Sequence, residues 1–284
     1  MNVKLANQLL GYPNDARLLI INADDFGMCY SVNQAIMEAL AFGIVQSTTL
    51  MVPCPWFAHA LHFLQSNPSI HFGVHLTVIS EWKGYRWGPV LPNNQVPSLV
   101  DKDGYFYNFD KMPFFLDHVD LMELELEFRV QIEAVLSAGL NPTHLDWHSL
   151  RLRSGHDHIF DLFIKLAREY GLALRVYGRK RIEGLHAQGF PTNDYDFMDS
   201  YLLDPSQKEN LYKQLLRDLP EGLNEWAVHP GLDNAELQAI EVDSHHERQT
   251  DFDFLASQSA LDLLKEEGII LLSYKPLQEL WNTI

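Results

Sequence analysis

The sequence holds only two cysteines in 284 residues, Cys29 and Cys54. They are too few and too far apart for a disulfide framework or a thiolate metal site. Two small buried residues in a reducing compartment are expected instead. Long apolar runs are missing too: no stretch of about 18 such residues occurs, which excludes a hydrophobic membrane-spanning helix. Residues 1–17 contain no apolar core of the signal-peptide kind, so a soluble cytoplasmic protein is expected. Positive charge is scarce. Lys and Arg number 21 against 38 Asp and Glu, a formal net charge of −17 at pH 7. Such a surface repels polyanions, so neither nucleic acid nor an anionic membrane is the expected partner. A neutral or cationic ligand suits it better. A phosphate-cradling glycine loop, a Gly-x-Ser-x-Gly elbow and a dinucleotide fingerprint are all lacking. A monomer and a small oligomer such as a homodimer are both compatible with this composition.

What is present is ordinary globular material, 46% hydrophobic and 21% charged, enough for a sizeable core. One grammar repeats along the chain: a short apolar run, a polar tip, then an amphipathic helix. It predicts strands at residues 18–22, 47–52, 71–77, 143–147, 173–177, 226–228 and 269–273. It predicts helices at 31–42, 55–65, 120–137, 157–170, 207–217 and 253–266. Gly139 and Gly171 stand where helices should stop. Alternating strands and helices imply an α/β fold with a parallel sheet buried on both faces. About seven strands could close into a barrel or lie open, and both architectures put chemistry at the carboxyl ends of strands. With no repeat or linker, a single domain over 1–284 is expected, with 1–16 as an N-terminal extension. Residues 79–118 are long and rich in aromatics and prolines, the pattern of a functional loop insertion, and 178–205 are long and mixed.

Four clusters carry chemistry. Four aliphatics, Leu18 to Ile21, run into Asn22-Ala23-Asp24-Asp25-Phe26-Gly27. A lone Asp there would cap the following helix. Adjacent carboxylates at the end of a buried strand repel each other unless a cation or proton separates their roles. One can then hold a metal while the other acts as a base. In His71-Phe72-Gly73-Val74-His75-Leu76-Thr77, strand alternation puts His71, Gly73, His75 and Thr77 on one face, with His75 near the carboxyl end. In His144-Leu145-Asp146-Trp147-His148, the same period aligns His144, Asp146 and His148. Imidazole with carboxylate is a ligand set for zinc and other divalent ions, and an intervening carboxylate suits the orienting of a ligating histidine. His229-Pro230-Gly231 sets another histidine at a strand end, as a general acid or as a turn residue. Arg175 is a cation on a strand in a carboxylate-rich core and should pair with one of the acids. His245-His246 lies among charges and is expected in a solvated loop; His156 and His158 fall on different faces of a helix start. Trp82, Tyr85 and Trp87 interleave with polar residues, which suits either a sugar ring or the stiffening of a long loop.

In order and type, these clusters resemble the YdjC-like (ChbG-type) carbohydrate deacetylases. The segments Gly43-Ile44-Val45-Gln46-Ser47-Thr48-Thr49 and Leu271-Leu272-Ser273-Tyr274 look similar to that family too, so the resemblance spans residues 17–277. It implies a distorted β/α barrel of about seven parallel strands and removal of an N-acetyl group from an amino sugar or chitooligosaccharide. It further implies one divalent ion, Mg2+ or Zn2+ with Mn2+ also compatible, on Asp25, His75 and His148. Asp24 would be the base, His229 the acid or oxyanion partner, and His144, Asp146 and Arg175 the supporting groups. One departure stands out. Where the family commonly continues past the second histidine into further histidines, Ser149-Leu150-Arg151-Leu152 follows His148, and Trp147 replaces a serine. The alternatives are a metal hydrolase of another amide, ester or phosphoester bond, and a catalytically silent sugar-binding relative.

Overall fold

The computed structural model of the protein describes residues 6–152 and 155–284, so residues 1–5 of the expected N-terminal extension lie outside it. Its frame is a parallel sheet. The strands are β1 (Arg17–Phe26), β2 (Ser47–Leu50), β3 (Phe72–Leu76), β4 (His144–Trp147), β5 (Ala173–Leu174), β6 (Met198–Asp199), β7 (Gly222–Val228) and β8 (Ile270–Leu272). Seven of them run in the order β5-β4-β3-β2-β1-β7-β6, and β8 pairs with β1. The centre of the sheet is β1, and its sequence says why. Leu18, Leu19, Ile20 and Ile21 are all buried, so both faces are covered and no polar alternation is needed.

Residues 17–23 of β1 pair with β7 along one edge. The opposite edge is shared: Leu18, Leu19 and Ile20 pair with β8, and Asn22, Ala23 and Phe26 pair with β2. The β2 register breaks between Ala23 and Phe26, where Asp24 and Asp25 together stand opposite the single residue Thr49. Asp25 takes a positive φ of 71°. A bulge here turns side chains out of the regular ladder toward the strand's carboxyl end. Asp is one of the few residues that tolerates such a backbone.

The sheet curls into a distorted β/α barrel. Between β5 and β7, side chains take the place of a strand ladder. Thr192 Oγ1 donates to Leu174 O at 3.2 Å; Asn193 donates to Val176 O at 2.6 Å and accepts from Val176 N at 3.2 Å. On the other side Asp194 N donates to Leu223 O at 2.8 Å, and Asp194 Oδ2 accepts from Leu223 N at 2.6 Å. This seam shortens β5 to two residues, where sequence periodicity extended it to 177.

The helices Tyr30–Phe42, Phe57–Ser66, Leu121–Ser137, Asp157–Tyr170 and Lys208–Arg217 stand close to their expected positions. Gly171, at φ 65°, ends one of them in the left-handed conformation that glycine adopts without strain. The helix expected at 253–266 is two helices, His245–Leu255 and Gln258–Glu266. Ser257 divides them by accepting from Ala260 N as an N-cap, a signal that helical periodicity overran. His245 and His246 therefore open a helix and are not in a loop. The strand β6 and the helices Arg179–Ala187 and Lys275–Trp281 were not anticipated. Residues 79–118 form a packed wall with buried Leu99, Phe106 and Phe115. The buried Glu127 carboxylate ties that wall down by accepting from Val90 N and Leu91 N at 2.9 and 3.1 Å. No helix of the described residues is long and apolar enough to cross a membrane.

Gly73 on β3 leaves room for the His144 ring of β4. A Cβ at Gly73 would stand 2.6 Å from that ring and from His144 O. We expect Gly73→Ala to lose about 1–3 kcal/mol through overpacking between two central strands, read as a lowered midpoint in denaturant unfolding with an unchanged slope.

Candidate metal centre

The bulge of β1 brings Asp24 and Asp25 to the carboxyl end of the sheet, beside His75 of β3 and His148 just past β4. Donor atoms of Asp25, His75 and His148 lie within 4.8 Å of one another, and all three residues are buried. Asp25 Oδ1 is 2.9 Å from His148 Nδ1 and 3.4 Å from His75 Nε2. Its other oxygen, Oδ2, accepts from Arg248 Nη2 at 2.8 Å. His75 Nδ1 meets Asp146 Oδ1 at 2.6 Å, which leaves Nε2 facing Asp25. Asp146 thereby fixes the ring as an outer carboxylate does for a metal-bound imidazole.

One arginine stands under this cluster. Arg175 is 3% exposed and meets three carboxylates: Asp24 through two bonds of 2.7 and 2.9 Å, Asp146 at 2.8 Å and Glu225 at 2.6 Å. Sequence reasoning expected it to pair with one acid. Burial alone would raise the Asp24 pKa, but Arg175 outweighs it and holds the carboxyl well below the usual range. Asp25 is likewise held down against its burial, by Arg248 and His148. The imidazoles shift the other way. Burial disfavours their charge, yet Asp146 and Asp25 carry His75 up to about 10, and Glu81 and Asp25 carry His148 up to about 9. The cluster therefore draws positive charge inward, and with no ion it takes protons.

The geometry fits a cation. Among the described residues, His148 Nε2 and Glu81 Oε2 are buried without a hydrogen-bond partner. Glu81 Oε1 comes within 2.6 Å of that nitrogen, out of line for a hydrogen bond. Two imidazoles and a carboxylate, with unsatisfied donor atoms beside them, are a suitable set for a divalent ion.

Above the cluster opens a cavity of about 490 Å³, lined at its base by Asp24, Asp25, His75, His148, Arg175, His229 and Arg248. His229 Nε2 is 3.9 Å from Asp24 Oδ2. Its Nδ1 is 2.8 Å from Ser200 Oγ, and Ser200 spends its only proton on Asp251 Oδ2 at 2.5 Å. Ser200 must accept from His229, so Nδ1 carries a hydrogen and Nε2 is the nitrogen left for chemistry. Trp82 lines the cavity. Tyr85 instead donates to Met28 O at 2.7 Å, and Trp87 is buried with its ring 5.7 Å from that of His148. His144 sits deeper, stacked on Tyr274 at 3.7 Å, and burial keeps it well below the usual histidine range. Ser149, Leu150, Arg151 and Leu152, the segment that departs from the family pattern, all line the cavity.

Glu81, Arg248, Asp199 and Tyr201 line the cavity too, and sequence reasoning missed them. Arg248 lies in the run His-His-Glu-Arg-Gln, whose charge reads as solvated surface. Only its inward turn on the helix His245–Leu255 brings it to Asp25 and, at 2.5 Å, to Glu241.

A family model for YdjC-like proteins matches residues 18–266. The chain belongs to this family. A relative from Thermoanaerobacter pseudethanolicus named carbohydrate deacetylase is 31% identical over 92% of this chain and all of its own length. Another of that name, from Enterococcus faecalis, is 32% identical over 91% of this chain and 97% of its own. A solved structure from Enterococcus faecalis, described as a cellobiose-phosphate cleavage protein, shares 31% identity and a TM-score of 0.79. That match covers 92% of this chain and 99% of the other.

The raised histidines make a pH prediction. Their folded values exceed the ordinary value of about 6.5, so the chelated protein has their full stabilisation below that pH and loses it as pH climbs through 9 to 10. Thermal unfolding of the chelated YdjC-like protein should show the midpoint falling from pH 7 to pH 10, a loss on the order of a few kcal/mol. A divalent ion competes with the same protons, so its affinity should rise over this range. A flat profile for both would contradict the assignment.

Proposed function

We propose that the protein is a metal-dependent hydrolase that removes an N-acetyl group from an amino sugar or chitooligosaccharide and releases acetate. The observation that carries this reading is the buried Asp25, His75 and His148 cluster at the base of a cavity that also holds Asp24 and His229. The relatives named carbohydrate deacetylase, matched over nearly their whole length, support the sugar amide as substrate. Aromatic rings of Trp82, Phe109, Tyr177, Phe197 and Tyr201 line the same cavity and suit the apolar faces of a pyranose ring.

Asp25, His75 and His148 would hold the ion, Mg2+ or Zn2+, with Mn2+ as a further fit to two imidazoles and a carboxylate. When bound, such an ion supplies an acidified water and a polarised acyl carbonyl. The remaining work falls to the chain. Asp24 Oδ1 already accepts from Asn22 and Arg175, whereas among the described residues Oδ2 accepts from Arg175 alone and faces His229. Oδ2 is therefore the oxygen that takes the proton from the attacking water. Arg175 keeps Asp24 ionised and aimed, at the cost of basicity, so Asp24 can deprotonate only a water already made acidic. That proton can pass from Oδ2 to His229 Nε2, 3.9 Å away, and from there to the leaving amine, so both residues end as they began. Ser200 and Asp251 fix its ring for that transfer.

Asp24→Asn should bind the ion as wild type does and lose about 10²–10⁴-fold in turnover. His148→Ala should lose the ion. Metal content and acetate release, measured on both variants, check this. Undiminished turnover in Asp24→Asn would remove Asp24 as the base.

A further inference from the structure

A second group of metal-ligating side chains lies outside the cavity. Asp233 follows the turn that carries His229, and His245 and His246 begin the helix His245–Leu255. His245 Nδ1 is 2.9 Å from Asp233 Oδ1, and His246 Nδ1 is 3.1 Å from Asp233 Oδ2. The imidazole centroids are 3.9 Å apart, and donor atoms of all three residues fall within 4.8 Å of one another. Four ligands around zinc at about 2.0–2.1 Å stand about 3.3 Å from each other. The spacing here is close to what one shared ion imposes.

A second observation separates this from an ordinary ion pair. His245 Nδ1 is buried and makes no hydrogen bond among the described residues, although a carboxylate oxygen is within reach. An imidazolium paired with Asp233 would aim its N–H at that oxygen. This nitrogen points off the line, as a lone pair does when nitrogen and oxygen converge on a common centre. Gln238 Nε2 donates to Asp233 Oδ1 at 2.8 Å and orients the carboxylate from outside. The His246 side chain is 69% exposed, which leaves an open side for water.

We propose that Asp233, His245 and His246 form a second, peripheral site for a divalent transition ion of the zinc class. Two imidazoles and one carboxylate favour zinc, nickel or copper, whereas magnesium prefers an all-oxygen shell. The site fastens the His229 turn to the helix that supplies Arg248. Three bonds already join them: His229 N to Asp251 Oδ2 at 2.8 Å, Gly231 N to Arg248 O at 3.1 Å and Asp233 N to Gln249 Oε1 at 2.6 Å. An ion adds a fourth tie and stiffens one wall of the cavity without touching it, since none of its three ligands lines that cavity. The proposal does not rest on the deacetylase reading.

The test is zinc stoichiometry by mass spectrometry and calorimetry on the full chain, chelated and then supplied with Zn2+ alone. Wild type should bind two equivalents, and the double variant His245→Ala/His246→Ala should bind one. His148→Ala should keep one, and zinc should raise its melting temperature. That rise should vanish when all three substitutions are combined. Two equivalents in the double variant would overturn the proposal, as would a single wild-type equivalent that disappears in His148→Ala. Should His148→Ala fail to fold, the comparison of wild type with the double variant decides the matter alone.

Discussion

Arg175 is the group on which the other arrangements depend. It follows the last residue of β5, and its guanidinium reaches Asp24 on β1, Asp146 on β4 and Glu225 on β7. Four strands, some far apart in the sheet, thus meet on one cation. With that cation removed, three buried carboxylates would face each other, and breaking a single buried pair already costs about 3–5 kcal/mol. The curl of the barrel and the charge of the site are therefore one problem with one solution. The seam at residues 192–194 completes it from outside by joining β5 to β7 through side-chain hydrogen bonds.

The same cation divides the labour of the acids. Asp24 is saturated on Oδ1 and held ionised, so it is a directed but weak base. Asp146 spends one oxygen on Arg175 and the other on His75, and so passes the arginine's placement on to the histidine ring. Asp25 belongs to a second arginine, Arg248, which leaves Oδ1 turned toward both imidazoles. Two guanidiniums cannot neutralise Asp24, Asp25, Asp146, Glu81, Glu225 and Glu241 together. The remaining negative charge is why His75 and His148 are drawn toward protonation, and why a divalent ion fits where those protons sit.

Much of this was legible in the sequence, for identifiable reasons. The aliphatic run Leu18 to Ile21 marks a strand covered on both faces, and its abrupt end in Asp24-Asp25 marks the site. The period of two in 144–148 put His144, Asp146 and His148 on a common face; the structure sets His144 one layer deeper, stacked on Tyr274. Residues that reach the site from chemistry-poor stretches were not legible. Glu81 opens a long loop, and Arg248 hides in a charged run whose inward face is set by tertiary packing alone. β6 is two residues long, too short for any period to register. Ser257 ended a helix whose apolar spacing continued through it. Of the aromatics in the long insertion, composition could not tell that Trp82 lines the cavity while Trp87 packs beneath it.

The central claim is that a divalent ion on Asp25, His75 and His148 serves amide hydrolysis on an acetylated amino sugar. Acetate release from N-acetylglucosamine oligomers by the chelated protein, with Zn2+, Mg2+ or Mn2+ restored singly, tests it most directly. The account predicts no release without an ion and recovery with at least one of them. Stoichiometric metal binding with no acetate released under any ion would contradict it.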